Sequence, residues 1–296
     1  MLNFSIIIPT YNRPERLKTC LDSLTHLNYP GDRFEVIIVD DGSDNPLDNL
    51  VNPYYHQLNL TLIRQLNAGP AKARNTGVNA AKGQYLAFTD DDCTPEQNWL
   101  LVLENAFSKT PNALLGGKTM NALLDNPYST ASQLLIDYLY DYYNTNSAQA
   151  TFFTSNNFAV SRELFNQVGQ FDVTYPLSAA EDREFCDRWL HQSNKMIYIP
   201  EVTIYHAHLL TLKTFYFQHF NYGRGAFCFH QIRTQRTNEH IKVEPLKFYL
   251  NLLRYPFLSK LSQSAILVTI LFLISQFANV AGFFWEQWHQ SEKELK

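Results

Sequence analysis

The chain has 296 residues, 45% of them apolar and 14% aromatic, with a formal net charge of −4. That length suits one large domain or two small ones with a sizeable core, and the slight acidic excess argues against a nucleic-acid partner held on a basic surface. The four cysteines, Cys20, Cys93, Cys186 and Cys228, lie far apart with no CxxC pair, which argues for reduced thiols and against a zinc site or a disulfide framework.

The N-terminal run Met1–Pro9 has no basic leader and no small-residue cleavage site, so it reads as structure rather than as a signal peptide. Phe4–Pro9 (FSIIIP) is a continuous apolar, β-branched run, as expected of a strand buried on both faces. Pro14 suits the first position of a helix, and Leu17, Leu21, Leu24 and Leu27 follow at helical spacing. Phe34–Val39 (FEVIIV) predicts a second buried strand that ends in the turn Asp40-Asp41-Gly42-Ser43. Leu60–Arg64 predicts a third strand, Gly69–Ala81 an alanine-rich helix, and Tyr85–Thr89 a fourth strand ending in Asp90-Asp91-Asp92. This alternation argues for an α/β fold, a mostly parallel, Rossmann-like central sheet with flanking helices.

Beyond residue 120 the pattern is less regular. It predicts helices over Pro127–Asn144, over Glu181–His191 and over Leu210–His230, the last ending near Gly223 and Gly225. The second of these places Phe185, Cys186, Trp189 and Leu190 on one face. Strands are expected over Phe153–Val160 and Met196–Tyr205. A polar stretch, Arg233–Glu244, is the expected boundary between a catalytic domain, residues 1–235, and a C-terminal attachment segment, residues 236–296. Lys247, Arg254 and Lys260 lie there among Phe248, Tyr249, Tyr255 and Phe257, a basic and aromatic mixture suited to the cytoplasmic side of a membrane interface. From Leu261 to Trp285 no residue is charged, and an apolar helix over about 262–285 is long enough to span a bilayer core of about 30 Å. A single span is the favoured arrangement, with a helix lying in the interface, or buried, as the alternative.

Parallel α/β sheets bind ligands beyond the carboxyl ends of their strands. The groups placed there are Thr10-Tyr11-Asn12, Asp40-Asp41 and Asp90-Asp91-Asp92. Three adjacent aspartates in a partly desolvated site repel one another, and a divalent cation shared with a diphosphate removes that cost. A solvated acidic turn that caps the following helix is the plainer alternative.

The ordered motifs IIIPTYNRPERL, EVIIVDDGSDN, NAGPAKARNTGVNAAKGQYLAFTDDD, NNFAVSRELF, GQFDV and AEDREFCDRWL resemble those of the family 2 glycosyltransferases, over roughly residues 4–230. The resemblance implies the GT-A fold and an inverting, metal-dependent transfer from a nucleotide sugar, with a uridine nucleotide expected. Thr10, Tyr11 and Asn12 would contact base and ribose, Asp40 and Asp41 the base, and Arg74 the base or diphosphate. Asp90–Asp92 matches the DXD motif, with Asp92 the expected direct ligand of Mn²⁺ or Mg²⁺, Asp90 near the ribose and a second candidate metal ligand, and Asp91 among the donor-binding residues. Glu181-Asp182 matches the family's ED motif, with Asp182 the expected general base and Glu181 the alternative; two acids in a helix's first turn also complement its dipole. His206 or His208, two apart after a strand, would complete the metal site, with His206 favoured. The segment Gln218–Gly225 resembles the acceptor gate of membrane-associated members but lacks the tryptophan of processive synthases; Arg224 would pair with the diphosphate.

A glycan or lipid-linked acceptor, attachment to the cytoplasmic face of the inner membrane through the C-terminal helix, and a role in glycolipid, exopolysaccharide or cell-envelope glycan synthesis follow as expectations. A catalytically inactive sugar-nucleotide-binding or scaffold protein would be expected to lose the DXD or the ED pair, and both are present. A nucleotidyltransferase would carry a glycine-rich basic loop where this chain has PTYNRPER.

Overall fold

The computed structural model describes residues 3–175, 179–237 and 243–294. The described residues form eight strands: β1 (Phe4–Thr10), β2 (Phe34–Asp40), β3 (Leu60–Arg64), β4 (Tyr85–Phe88), β5 (Cys93–Pro95), β6 (Leu114–Asn121), β7 (Phe158–Ser161) and β8 (Met196–His206). The helices are α1 (Pro14–Leu24), α2 (Asp48–Val51), α3 (Pro70–Ala80), α4 (Trp99–Lys109), α5 (Pro127–Tyr143), α6 (Arg162–Val168), α7 (Glu181–His191), α8 (Leu212–Thr237), α9 (Leu246–Leu258) and α10 (Ala265–Glu294). By their contacts the described residues form two compact units. One holds residues 1–120, 144–173 and 185–206; the other holds 121–143, 174–184 and 207–296.

The first unit carries one mixed sheet, in the order β3-β2-β1-β4-β7-β6-β8-β5. Strands β3, β2, β1 and β4 are parallel, while β7 runs antiparallel to β4 and to β6, and β5 antiparallel to β8. The continuous apolar runs of β1 and β2 are buried along their whole length, as a doubly covered parallel strand requires. Ile6, Ile8, Val36, Ile38, Leu17 and Leu21 join Trp99, Leu103 and Phe107 of α4 in one core. Buried polar groups lock this frame. Glu35 accepts from Ser5 Oγ and from the Lys82 amide, both at 2.6 Å. Asn157 donates to the carbonyls of Lys118 and Val202, each at 2.9 Å, and accepts from Trp99 Nε1 at 3.0 Å, tying α4, β6 and β8 together.

The strand expected over Phe153–Val160 is confined to Phe158–Ser161. Thr154 and Asn156 are bound to each other at 2.8 Å, and Asn144 holds the 151–152 backbone, so the earlier residues form a side-chain-ordered loop. On α7, Phe185, Cys186 and Trp189 are buried as the spacing predicts, while Leu190 is only half-buried.

The second unit is helical. Ala131, Leu134, Leu135 and Tyr138 of α5 pack with Phe215 of α8, Phe248 and Leu252 of α9, and Val268, Leu271 and Phe272 of α10. The helix expected over Leu210–His230, with its end near Gly223 and Gly225, runs on past both glycines to Thr237. The glycines are packing positions. A Cβ on Gly223 would meet the Asn279 carbonyl oxygen at 1.8 Å, and one on Gly282 the Phe220 carbonyl oxygen at 1.9 Å, so α8 and α10 touch backbone to backbone. Gly225 likewise admits the Ala179 carbonyl. The pair is reinforced by Arg224, whose Nε donates to Glu286 at 2.7 Å and whose guanidinium lies 4.3 Å from the Trp285 ring centroid. The expected boundary stretch lies partly outside the described residues, at 238–242.

Helix α10 is long and apolar enough to cross a membrane by length and composition, with a third of its most apolar window buried against its own unit. Its exposed side chains form a stripe, Ile266, Ile270, Leu273, Phe277, Val280, Phe284 and Trp288, spaced three or four apart. On α9, Lys247, Leu250, Arg254 and Phe257 are exposed at the same kind of spacing.

Candidate active site

Thr10 and Asp40 are register partners at the carboxyl ends of β1 and β2, and β4 ends beside them with Phe88 opposite Ile7. The residues that follow these three strands therefore meet on one edge of the sheet. Thr10 Oγ1 donates to Asp91 Oδ2 at 2.8 Å. Asn12, in the left-handed region at φ 54°, exchanges hydrogen bonds with Asp44, and its backbone amide donates to Ser43 Oγ at 2.9 Å. Tyr11 between them is exposed, its ring available to a ligand.

Asp40 accepts from the Ser43 amide at 2.8 Å and lies 3.8 Å from Arg64 Nε. Asp41 accepts from Gln65 Nε2 at 2.6 Å and from the amides of Ala68 and Gly69 at 3.0 and 2.8 Å. Gly42, at φ 85°, sits where a Cβ would lie 2.8 Å from the Asn67 amide nitrogen, so the two loops can close only around glycine.

Each of the three aspartates has a basic partner. Arg74 donates to Asp90 at 2.7 Å, Arg13 lies 3.3 Å from Asp91, and Arg16 donates to Asp92 at 2.9 Å. Arg74 reaches from α3, which is fixed by a reciprocal pair: Asn75 Nδ2 donates to the Phe171 carbonyl at 2.8 Å and accepts from its amide at 3.1 Å. Burial raises the pKa of Asp91 to about 6, with Arg13 opposing the rise and Asp92 adding to it. Arg13 and Arg16 were not among the residues expected here. Their signal is the NRPER segment itself: Arg13 and Arg16 flank the start of α1, where the helix dipole disfavours cations, and so call for an anionic partner.

Strand β5 pairs with β8 in a register that sets Cys93 opposite His206. His206 Nε2 thereby stands 3.1 Å from Asp92 Oδ1. Burial alone would lower the His206 pKa; the bond to Asp92 and the charges of Asp92 and Asp90 outweigh it, and the net shift is upward. Ligand atoms of Asp92, Cys93 and His206 all lie within 4.8 Å of one another. Carboxylate and imidazole suit Mn²⁺, whereas burial holds the Cys93 thiol well above its ordinary pKa and protonated. Of the two candidate histidines, His206 belongs to this cluster. His208 belongs to the second unit, where its carbonyl accepts from Ser129.

Glu181 and Asp182 open α7 and fall in the second unit, as does Arg224. Ala180, just before them, holds a left-handed φ of 72°, an unfavourable conformation for alanine that turns the chain into the helix. Glu181 is buried, Asp182 is half-buried, and Glu184 pairs with Arg236. The Arg224 guanidinium is engaged by Glu286 and Trp285 of α10.

The sequence profile of the family described as "Glycosyl transferase family 2" matches residues 5–169, more than half of the chain. Glycosyltransferase AglE of Haloferax volcanii is 38% identical over 116 residues, 38% of each chain. The poly(ribitol-phosphate) β-N-acetylglucosaminyltransferase TarS of Staphylococcus aureus is 36% identical over 94 residues, 31% of this chain and 16% of TarS. The aligned segments thus span well under half the length of these curated relatives. Among solved structures, the mannosyltransferase PcManGT of Pyrobaculum calidifontis, in complex with GDP-Man and Mn²⁺, has a TM-score of 0.68 at 19% identity, covering 97% of this chain and 87% of that one. S. aureus TarS 1–349 in complex with UDP-GlcNAc has a TM-score of 0.55 at 17% identity, covering 98% and 92%. The chain belongs to glycosyltransferase family 2 and has the GT-A fold.

Proposed function

We propose that this family 2 glycosyltransferase moves a sugar from a nucleotide-sugar donor to a hydroxyl of a glycan or lipid-linked acceptor, with inversion and with a divalent cation. The observation that carries this reading is the pairing of Asp92 with His206 beside Asp90 and Asp91, at the carboxyl ends of β1, β2 and β4. The complexes of PcManGT with GDP-Man and Mn²⁺ and of TarS with UDP-GlcNAc support a donor of this class.

In this reading Tyr11, Asn12, Asp40 and Asp41 form the nucleoside end of the site, and Asp90 and Arg74 lie toward ribose and diphosphate. Asp92 and His206 would hold Mn²⁺ or Mg²⁺, which supplies charge neutralisation for the departing diphosphate. Asp182 takes the proton from the acceptor hydroxyl as its oxygen bonds to the anomeric carbon and the bond from that carbon to the diphosphate breaks. Residues 1–235 would serve as the catalytic region and 236–296 as the attachment region.

The exposed stripe of α10, with Lys247 and Arg254 on the neighbouring α9, supports attachment to an anionic membrane surface. Peripheral attachment is favoured over a span. Crossing would draw α8, which touches α10 at Gly223 and Gly282 and carries Gln218, His219, Asn221 and Arg224, toward hydrocarbon. The cytoplasmic face follows because nucleotide sugars are made there.

A thermal-shift panel of UDP-, GDP- and dTDP-sugars with and without Mn²⁺ tests the donor class. A stabilisation that needs the metal is expected for one nucleotide series. No metal-dependent shift with any of them would overturn the reading.

A further inference from the structure

We infer that Arg16, assisted by Arg13, is a built-in counter-cation that occupies the metal-ligating carboxylate until a nucleotide diphosphate draws it away, so that metal and nucleotide bind in obligate synergy. The inference rests on the donor-site reading above.

Arg16 and Arg13 sit at the amino end of α1, Arg16 in its first turn and Arg13 at the cap. Two cations there oppose the helix dipole, and what offsets this is the row of acids after β4. Arg16 Nη1 is 2.9 Å from Asp92 Oδ2, Arg13 Nη1 is 3.5 Å from the same oxygen and 3.3 Å from Asp91 Oδ1. The other Asp92 oxygen faces His206. A divalent cation bound by Asp92 and His206 would stand next to these guanidinium groups in a site where Asp91 and Asp92 are almost fully buried. Water does little there to screen cation from cation. The arginines must let go for the metal to bind.

Both side chains are free to do so, since Arg13 is about half exposed at 48% and Arg16 at 29%. A diphosphate brought in with the metal offers them oxygens in a geometry the guanidinium fork matches. Metal and diphosphate therefore help each other bind, and by linkage the effect is the same in both directions. The metal alone gains Asp92 only by stranding an arginine beside a cation.

The test measures Mn²⁺ binding by calorimetry, alone and with saturating UDP or GDP, for wild type, Arg16→Gln and Arg16→Lys. Wild type is expected to bind Mn²⁺ alone weakly. Arg16→Gln should bind Mn²⁺ alone about tenfold more tightly, by removal of one near charge, and Mn²⁺–nucleotide coupling should fall by a similar factor. Arg16→Lys, which keeps the charge, should resemble wild type and reports on the fold. Arg16→Gln binding Mn²⁺ alone no more tightly than wild type would overturn the inference. Failure of wild type to bind either nucleotide in the presence of Mn²⁺ would overturn the donor-site reading instead, and the comparison with Mn²⁺ alone would still decide the role of Arg16.

Discussion

His206 Nε2 stands 3.1 Å from Asp92 Oδ1 because Cys93, the residue after Asp92, is the register partner of His206 in the short antiparallel pairing of β5 with β8. A three-residue strand at the sheet edge thus joins a carboxylate after β4 to an imidazole at the end of β8. If these two groups hold the cation, His206→Gln should weaken Mn²⁺ binding in the presence of nucleotide by about tenfold or more, while His208→Gln should leave it near wild type. Calorimetric titration decides. Equal losses in both variants would count against the assignment.

The glycines of α8 and α10 give a test of packing. Gly282→Val places atoms where the Phe220 carbonyl oxygen already lies, so α8 and α10 must separate. The expected cost is about 3 kcal/mol or more, seen as a large fall in thermal stability. Gly31→Ala is the control: its Cβ would meet nothing within 4 Å, and its stability should stay within about 0.5 kcal/mol of wild type.

His219 makes the second unit sensitive to acid. Its ring is packed between Phe215 and Tyr222 with Nε2 unbonded, and burial, aided by the nearby charge of His208, lowers its pKa to about 3. The unfolded chain binds that proton near pH 6.5, so stability is full above about pH 6.5 and is lost as the pH falls toward 3. At pH 5 the loss from this one group is about 2 kcal/mol. Chemical denaturation at pH 7.5 and pH 5 should show that gap narrowing by about this amount in His219→Phe. An unchanged gap would contradict it.

Membrane attachment through the α10 stripe predicts co-sedimentation with anionic vesicles, release by alkaline carbonate, and loss of binding in the pair Ile270→Ser and Phe277→Ser. Retention of the wild-type chain after carbonate would contradict the peripheral reading and favour a span.

Much of the first unit was legible because β1 and β2 are buried along their whole length: Phe4 and Phe34 each begin where an apolar run begins. Helix α7 matched its expected bounds, since acids open it and Trp189 faces the core. Strand β5 was illegible. Three residues carry no periodicity, and its role comes from a register set far away in sequence. Gly223 and Gly225 misled for a physical reason: glycine marks a helix end when the backbone needs a positive φ, but here it marks a close approach inside a helix. The pairing of Arg13 and Arg16 with Asp91 and Asp92 was not legible because 78 and 76 residues separate the partners, and only the fold brings the start of α1 to the end of β4.

The most direct measurement is release of free sugar or its transfer from the nucleotide sugar that stabilises the protein, with Mn²⁺ and with chelator, for wild type and Asp182→Asn. Turnover that chelation abolishes is expected, with a fall of about 10²–10⁴-fold in Asp182→Asn and nucleotide affinity in that variant close to wild type. Undiminished turnover in Asp182→Asn, or turnover that survives chelation, would contradict the proposed function.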